Sequence, residues 1–232
     1  MSLASLRDWC IDAAIFDVDG TLLDSMPAWD GLASRYLRSL GVEPRPDLEA
    51  RVASMDIGES ATYLANSYGL GLSPDEVRHG FMGLIARIYE QDAPAKPGAV
   101  ELVRALAGAG LPLAVATIGE AALASAALER LGIRDCFQEL LACSELGCSK
   151  REPTVFLAAA ARLGAAPART AVFEDTLVPV ATASAAGFPV VAVKDAASDA
   201  DEKRIRAASS LYVADLRDAL PWCMGCPQGE ED

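Results

Sequence analysis

Two hydrophobic rhythms alternate along this chain. Residues 13–18, 111–116, 170–173 and 189–193 are short, continuous apolar runs rich in β-branched side chains, and 139–142 and 211–213 are weaker versions. Runs of this length bounded by glycine, proline or acid read as strands buried on both faces. Between them, apolar residues recur every three or four positions at 99–109, 120–131, 154–163, 177–186 and 200–208, the spacing of helices with one buried side. Alternation of strand and helix predicts right-handed crossovers, and hence an α/β fold with a parallel sheet covered by helices on both faces.

One interval breaks the alternation. Between Asp24 and Asp92 the helical period appears at 27–40, 47–54, 59–68 and 74–89, with no strand-like run. Ser73-Pro74-Asp75-Glu76 is a helix start: a capping hydroxyl, proline where no N–H is needed, then acids. A purely helical block between the first and second strands predicts an inserted all-α cap at 24–94, with a discontinuous core formed by 1–23 and 95–232. Leu23-Asp24 and the stretch 92–98, with Pro94 and Pro97, are the expected hinges.

Composition narrows the options. A chain of 232 residues with 52% hydrophobic content can bury a sizeable core. Its net charge of −13 argues against a nucleic-acid or anionic-membrane surface. No stretch reaches the roughly 18 apolar residues of a spanning helix, and the first ten residues carry no long apolar signal segment, so the cytoplasm is the expected location. Six cysteines are then expected to be reduced thiols. Cys223 and Cys226 form a C-x-x-C pair without the further ligands of a zinc site, and read as unpaired thiols in a tail. Trp9, Trp29 and Trp222 are candidates for core or interface, and His79, the only histidine, for a helix surface.

The candidate chemistry sits where the strands end. Ligands of open parallel sheets bind outside the carboxyl ends of the strands. The first run closes on Asp17-Val18-Asp19-Gly20-Thr21. Two neighbouring carboxylates repel and need a metal, a shared proton or a cationic partner, although the same D-x-D-G pattern also occurs in calcium loops and plain turns. The second run ends at Thr117, before Ile118, Gly119 and a helix; hydroxyl and amides there suit either a phosphate or an ordinary cap. Lys150 precedes another helix, as a phosphate partner or a solvated loop charge. Glu174-Asp175 directly follows an apolar strand, which packing does not explain and a hard, oxygen-seeking cation does.

This ordered set resembles the haloacid dehalogenase superfamily from about residue 13 to residue 215, in the branch with a helical cap after its first motif. Asp17-Val18-Asp19-Gly20-Thr21-Leu22-Leu23-Asp24-Ser25 matches that first motif. Lys150 with Pro153 and Phe156 matches the third motif, and Phe173-Glu174-Asp175-Thr176 with Ala185-Ala186-Gly187 matches the fourth. Pro97-Gly98 opening a helix is also typical. Three departures stand out: Ile118 in place of a small polar residue, Arg151 in place of proline, and Pro179 in place of glycine.

The resemblance implies a Rossmann-like core and a Mg²⁺-dependent phosphatase acting on a small phosphorylated metabolite. Asp17 would be the nucleophile that becomes an aspartyl-phosphate, and Asp19 the acid and base. Lys150, Thr117 and the Ile118 amide would hold phosphate. Mg²⁺ would be bound by Asp17, Asp19 (through its carbonyl), Asp175 and, less directly, Glu174. The cap would close over the site, with Met55 and Asp56 in the position of the specificity loop and Trp29 near the first motif. No nucleic-acid or membrane partner is implied, and a monomer or weak dimer is expected. A β-phosphoglucomutase-type mutase uses the same parts. Its pattern has a histidine where this chain has Trp29, and a branched apolar residue where this chain has Thr21. A non-catalytic phospholigand binder would be expected to lack Asp17, Asp19 or Asp175, and all three are present.

Overall fold

Six short strands, β1 (Ala13–Phe16), β2 (Leu113–Thr117), β3 (Glu139–Ala142), β4 (Thr170–Glu174), β5 (Val190–Val193) and β6 (Leu211–Val213), lie parallel in the order β3-β2-β1-β4-β5-β6. This is a computed structural model, and it describes residues 11–29, 31–53 and 55–224. Trp9, Cys10, Ser54 and Cys226 lie outside the described residues. Contacts divide the chain into two compact units, Met1–Asp24 with Pro94–Asp232, and Ser25–Ala93.

The strands form where the apolar runs predicted them, because every residue of β1, β2, β4 and β5 is buried. A sheet covered on both faces accepts only such sequences. β1 ends at Phe16, two residues before the end of its apolar run. The Val18 carbonyl there accepts N–H bonds from Leu22 and Leu23 at 2.9 and 2.8 Å, turning the chain away from the sheet. Asp17 and Asp19 therefore both lie past the end of β1, in the turn and not in the strand. Phe16 stacks on Phe173 of β4 at 4.3 Å and meets Phe137 edge-on at 5.9 Å, pinning the middle of the sheet.

In the second unit the helices are α1 (Met26–Trp29), α2 (Leu32–Ser39), α3 (Leu48–Val52), α4 (Ile57–Tyr68) and α5 (Pro74–Arg87). The single helix expected at 27–40 is two helices. Gly31 adopts φ 72°, a left-handed conformation that a continuous α-helix cannot contain. α4 starts two residues before the expected 59, because Asp56 caps it: its carboxylate accepts from the Glu59 N–H at 2.7 Å, and Glu59 accepts from the Asp56 N–H at 3.0 Å. α5 starts at Pro74 behind the Ser73 cap, as the sequence predicted, and Ser73 and Glu76 make the same reciprocal pair there. α5 then runs into a π-helical turn over Ile88–Asp92, past the expected end. Ala33, Tyr36, Leu37, Leu48, Leu64 and Phe81 form the buried centre of this unit, with Tyr36 edge-on to Phe81 at 4.9 Å.

The core unit carries α6 (Ala99–Gly108), α7 (Ala121–Arg130), α8 (Cys143–Leu146), α9 (Thr154–Arg162), α10 (Leu177–Ala185), α11 (Glu202–Ala208) and α12 (Leu220–Cys223). Pro179, the residue in place of glycine, falls in the first turn of α10, where a missing N–H costs no intrahelical bond. The helix expected at 200–208 is a 3₁₀ segment, Ala196–Asp201, followed by α11. α8 and α12 have four residues each, too few for a 3.6-residue period to register. Trp222 and Cys223 are buried in α12, so the first thiol of the C-x-x-C pair belongs to the packed core, not to a tail. No helix among the described residues is long and apolar enough to cross a membrane.

Candidate active site

Parallel strands deliver all their carboxyl ends to one edge, and the connection order reverses at β1. The chain goes from β1 outward through β2 and β3, then returns to β4 on the other side of β1. Such a reversal opens a crevice at the carboxyl edge. Phe16 pairs with Phe173, and the Asp17 N–H donates to the Phe173 carbonyl at 3.0 Å. That register sets Asp17, the first residue past β1, beside Glu174 at the end of β4. Asp175 follows at once. Thr117 ends β2 on the opposite side of β1. Gly20 closes the β1 turn with φ 84°, and a Cβ there would collide with the Asp175 carboxylate. Glycine is thus needed twice, for the left-handed backbone and for the approach of Asp175.

Lys150 arrives from the loop between α8 and α9. Its Nζ donates to Glu174 Oε1 at 2.6 Å and to Asp17 Oδ1 in a shorter bond. It is only 2% exposed, so it is not a solvated loop charge. The Asp175 N–H donates to Glu174 Oε2 at 3.1 Å, and Thr21 Oγ1 donates to Asp175 Oδ1 at 3.4 Å. One carboxylate oxygen from each of Asp17, Glu174 and Asp175 lies within 4.8 Å of the other two.

This is too much negative charge for one ammonium group. Burial pushes Asp175 up to about 9, with Glu174, Asp17 and Asp195 adding repulsion that Lys150 only partly offsets. Burial likewise lifts Glu174 to about 7, against the pull of Lys150. Burial alone would lower the Lys150 pKa, but Asp17 and Glu174 hold it above the usual lysine range, so it stays protonated. Buried carboxylates in excess of their cationic partners, offering only oxygen, match a hard divalent cation such as Mg²⁺. The residues present fit that ion.

The remaining predicted residues are distributed as follows. Asp19 is half-buried in the β1 turn and forms a bridge with Leu23. Thr117 is buried and accepts the Gly119 N–H at 3.0 Å, which leaves its hydroxyl hydrogen to donate. The Ile118 side chain is 65% exposed. Trp29 and Met55 belong to the helical unit, where with Leu32, Val52, Ile57 and Phe81 they line an apolar cavity of about 600 Å³. Asp56 is engaged in capping α4. His79 is exposed on α5.

Sequence reading overlooked a buried pair of charged groups, Lys96 and Asp195. Lys96 is buried with its Nζ donating to Asp195 Oδ2 at 2.9 Å, and Asp24 lies 3.9 Å away. Asp195 follows the apolar run of β5 by two residues, close to the spacing that drew attention to Asp17. The signal was present in the sequence; Lys96, in a proline-flanked loop, offered none.

Comparison with known proteins bears on this edge of the sheet. The family model described as haloacid dehalogenase-like hydrolase matches residues 11–187. The phosphoglycolate phosphatase of Rhodospirillum rubrum is 31% identical over 227 residues, covering 93% of this chain and 92% of that protein. Hexitol phosphatase B of Escherichia coli strain K12 is 29% identical, covering 90% of this chain and 96% of that protein. Among solved structures, CbbY of Rhodobacter sphaeroides in complex with phosphate superimposes with a TM-score of 0.70 at 21% identity, covering 90% of this chain and 96% of that one, a likeness of fold.

Proposed function

The chain belongs to the haloacid dehalogenase-like hydrolase family, and from that premise we propose that it hydrolyses a small phosphorylated metabolite with Mg²⁺ through an aspartyl-phosphate on Asp17. The observation that carries this reading is the buried set Asp17, Glu174, Asp175 and Lys150 at the carboxyl edge of β1 and β4. Its relatives named as phosphatases support it.

In this reading an Asp17 carboxylate oxygen attacks phosphorus. The ester bond breaks, and Asp19 gives its proton to the departing alcohol oxygen. Asp19, now a carboxylate, takes a proton from water; that water attacks the phosphoryl group, releases inorganic phosphate and restores Asp17. Lys150, fixed on Asp17, faces the charge that develops on the phosphoryl oxygens, and the Thr117 hydroxyl and Ile118 N–H donate to the same oxygens. Mg²⁺, held by Asp17, Asp175 and the Asp19 carbonyl with support from Glu174, would offset the repulsion between nucleophile and phosphate. Residues 24–94 serve as a substrate-selecting cap, with Trp29 and Met55 as the contacts that select.

The test is a screen of phosphorylated sugars, nucleotides and three-carbon acids, reading released phosphate with and without chelator. Turnover should vanish on chelation and return with Mg²⁺, while Ca²⁺, which favours looser and higher coordination, restores little. Full turnover in metal-free buffer overturns the metal assignment. Conversion of β-glucose 1-phosphate to glucose 6-phosphate, primed by a trace of the bisphosphate and without free phosphate, overturns hydrolysis in favour of the mutase.

A further inference from the structure

The core unit has a second feature beside Lys150 that the proposed chemistry leaves unused. A cavity of about 560 Å³ shares Lys150 with the candidate site and is walled by Ile118, Arg151, Val178, Ser198, Asp201 and Arg204 among others. Its charge is out of character for the chain. Lys150 is already held by Asp17 and Glu174, and beyond it Arg151 and Arg204 face a single acid, Asp201, in a protein whose net charge is −13.

The two arginines are available. No acid among the described residues pairs with the Arg151 guanidinium, whose residue is tied only through its N–H to Ser149 Oγ at 3.3 Å. Arg204 meets Asp201 at 2.8 Å, but the two side chains are 72% and 42% exposed, an ion pair that a bound anion displaces at little cost. Ile118 and Val178, two of the few large apolar side chains exposed among the described residues, line the same cavity. Apolar surface of that extent suits a short carbon chain.

The far wall is built rigidly. The Ala197 N–H donates to Asp195 Oδ1 at 2.8 Å and the Ser198 N–H donates to the Asp195 carbonyl at 3.1 Å. Asp195 is itself fixed by buried Lys96. This gives the buried Lys96–Asp195 pair a purpose: it holds the 3₁₀ segment that carries Ser198 and Asp201 toward the cavity.

We propose that this cavity receives a second anionic group of the substrate, joined to the phosphate by a short carbon chain. The substrate class is then a phosphate monoester bearing a carboxylate or a second phosphate, recognised by Arg151 and Arg204. The inference rests on the phosphate-monoester reading above. Arginine is the side chain of choice for both anions, because its planar fork matches either in two parallel hydrogen bonds. The residue in place of the family's common proline, Arg151, and the one in place of a small polar residue, Ile118, both line this cavity. Two of the chain's departures from the common pattern thereby acquire one explanation.

Calorimetric binding to the Mg²⁺-loaded protein tests this without turnover. The ligands are ω-phosphonocarboxylates of two to four carbons, α,ω-bisphosphonates of the same lengths, and alkylphosphonates with uncharged tails as reference. At least one anionic tail should improve affinity over its alkyl counterpart by roughly tenfold, and the better tail identifies the second group as carboxylate or phosphate. Arg151→Gln and Arg204→Gln should each cut that ratio several-fold. Equal binding of charged and uncharged tails, or an advantage that survives both substitutions, overturns the proposal while leaving the phosphatase reading intact. Failure of every phosphonate to bind sinks both.

Discussion

The two units bury different things. In the core unit Asp17, Lys96, Lys150, Glu174, Asp175 and Asp195 are all buried; among the described residues of the helical unit the only buried polar ones are Ser25 and Ser60. The helical unit is an amphipathic packing exercise around Phe81 and Leu64, stabilised as any small bundle is. The core unit spends stability on charges that packing alone would exclude, since an ion removed from water costs several kcal/mol after relaxation. The contrast teaches where the chemistry resides: a fold keeps uncompensated carboxylates buried where binding or catalysis requires them.

The sharpest way to break this contrast is at the nucleophile. Asp17→Asn keeps the shape and removes the attacking charge, and hydrolysis of an aryl phosphate should fall by about 10⁴-fold or more. A well-folded variant with near-native turnover would remove the chemical distinction between the units. The opposite pattern is expected from Phe81→Ala, which opens the apolar centre of the helical unit. It should lower stability by about 3–5 kcal/mol, read by urea unfolding; a loss below about 1 kcal/mol would mean that the bundle is not held by this cluster.

Metal and pH act next, on the core unit alone. A carboxyl whose pKa is higher folded than unfolded binds more protons in the folded chain across the interval between the two values. Asp175, near 9 when folded against a reference of 3.8, and Glu174, near 7 against 4.5, should therefore make the metal-free protein lose stability as pH rises through those windows. Mg²⁺ should offset the loss, so its gain in Tm should be larger at pH 9 than at pH 5. Asp175→Asn should raise the metal-free Tm at pH 8 and erase the Mg²⁺ effect. A Mg²⁺ shift that is equal at both pH values would count against the carboxylate cluster as the binding site.

The smallest effects separate two neighbours on one turn of the helical unit. Asp56→Ala removes the α4 cap and should cost about 1 kcal/mol in stability with a uniform effect across substrates. Met55→Ala, at the wall of the apolar cavity, should instead change relative kcat/KM between substrates more than Tm. If Asp56→Ala shifts substrate preference and Met55→Ala does not, their roles are the reverse of those assigned here.

Much of the site was legible because its residues sit at strand ends. An apolar run that stops on an acid marks both the strand and the group it presents, and this holds for Asp17 and for Glu174-Asp175. Lys96 was not legible, since a lysine between prolines carries no local sign of burial. The break at Gly31 was also hidden: periodicity alone cannot tell a tolerated helical glycine from one held at φ 72°.

What the sequence determined by itself is the local grammar: six apolar runs, the helices between them, the inserted helical block and the helix start at Ser73. These depend on neighbours within a few residues. Which distant charges meet was decided by the tertiary structure. Lys150 reaches Asp17 across 133 positions and Lys96 reaches Asp195 across 99, distances in sequence over which no periodicity carries information. Strand order brings them together: β1 lies between β2 and β4, so the ends of separate runs converge on one crevice. The Arg151–Arg204 cavity likewise exists only because a loop and helices far apart in the chain come together.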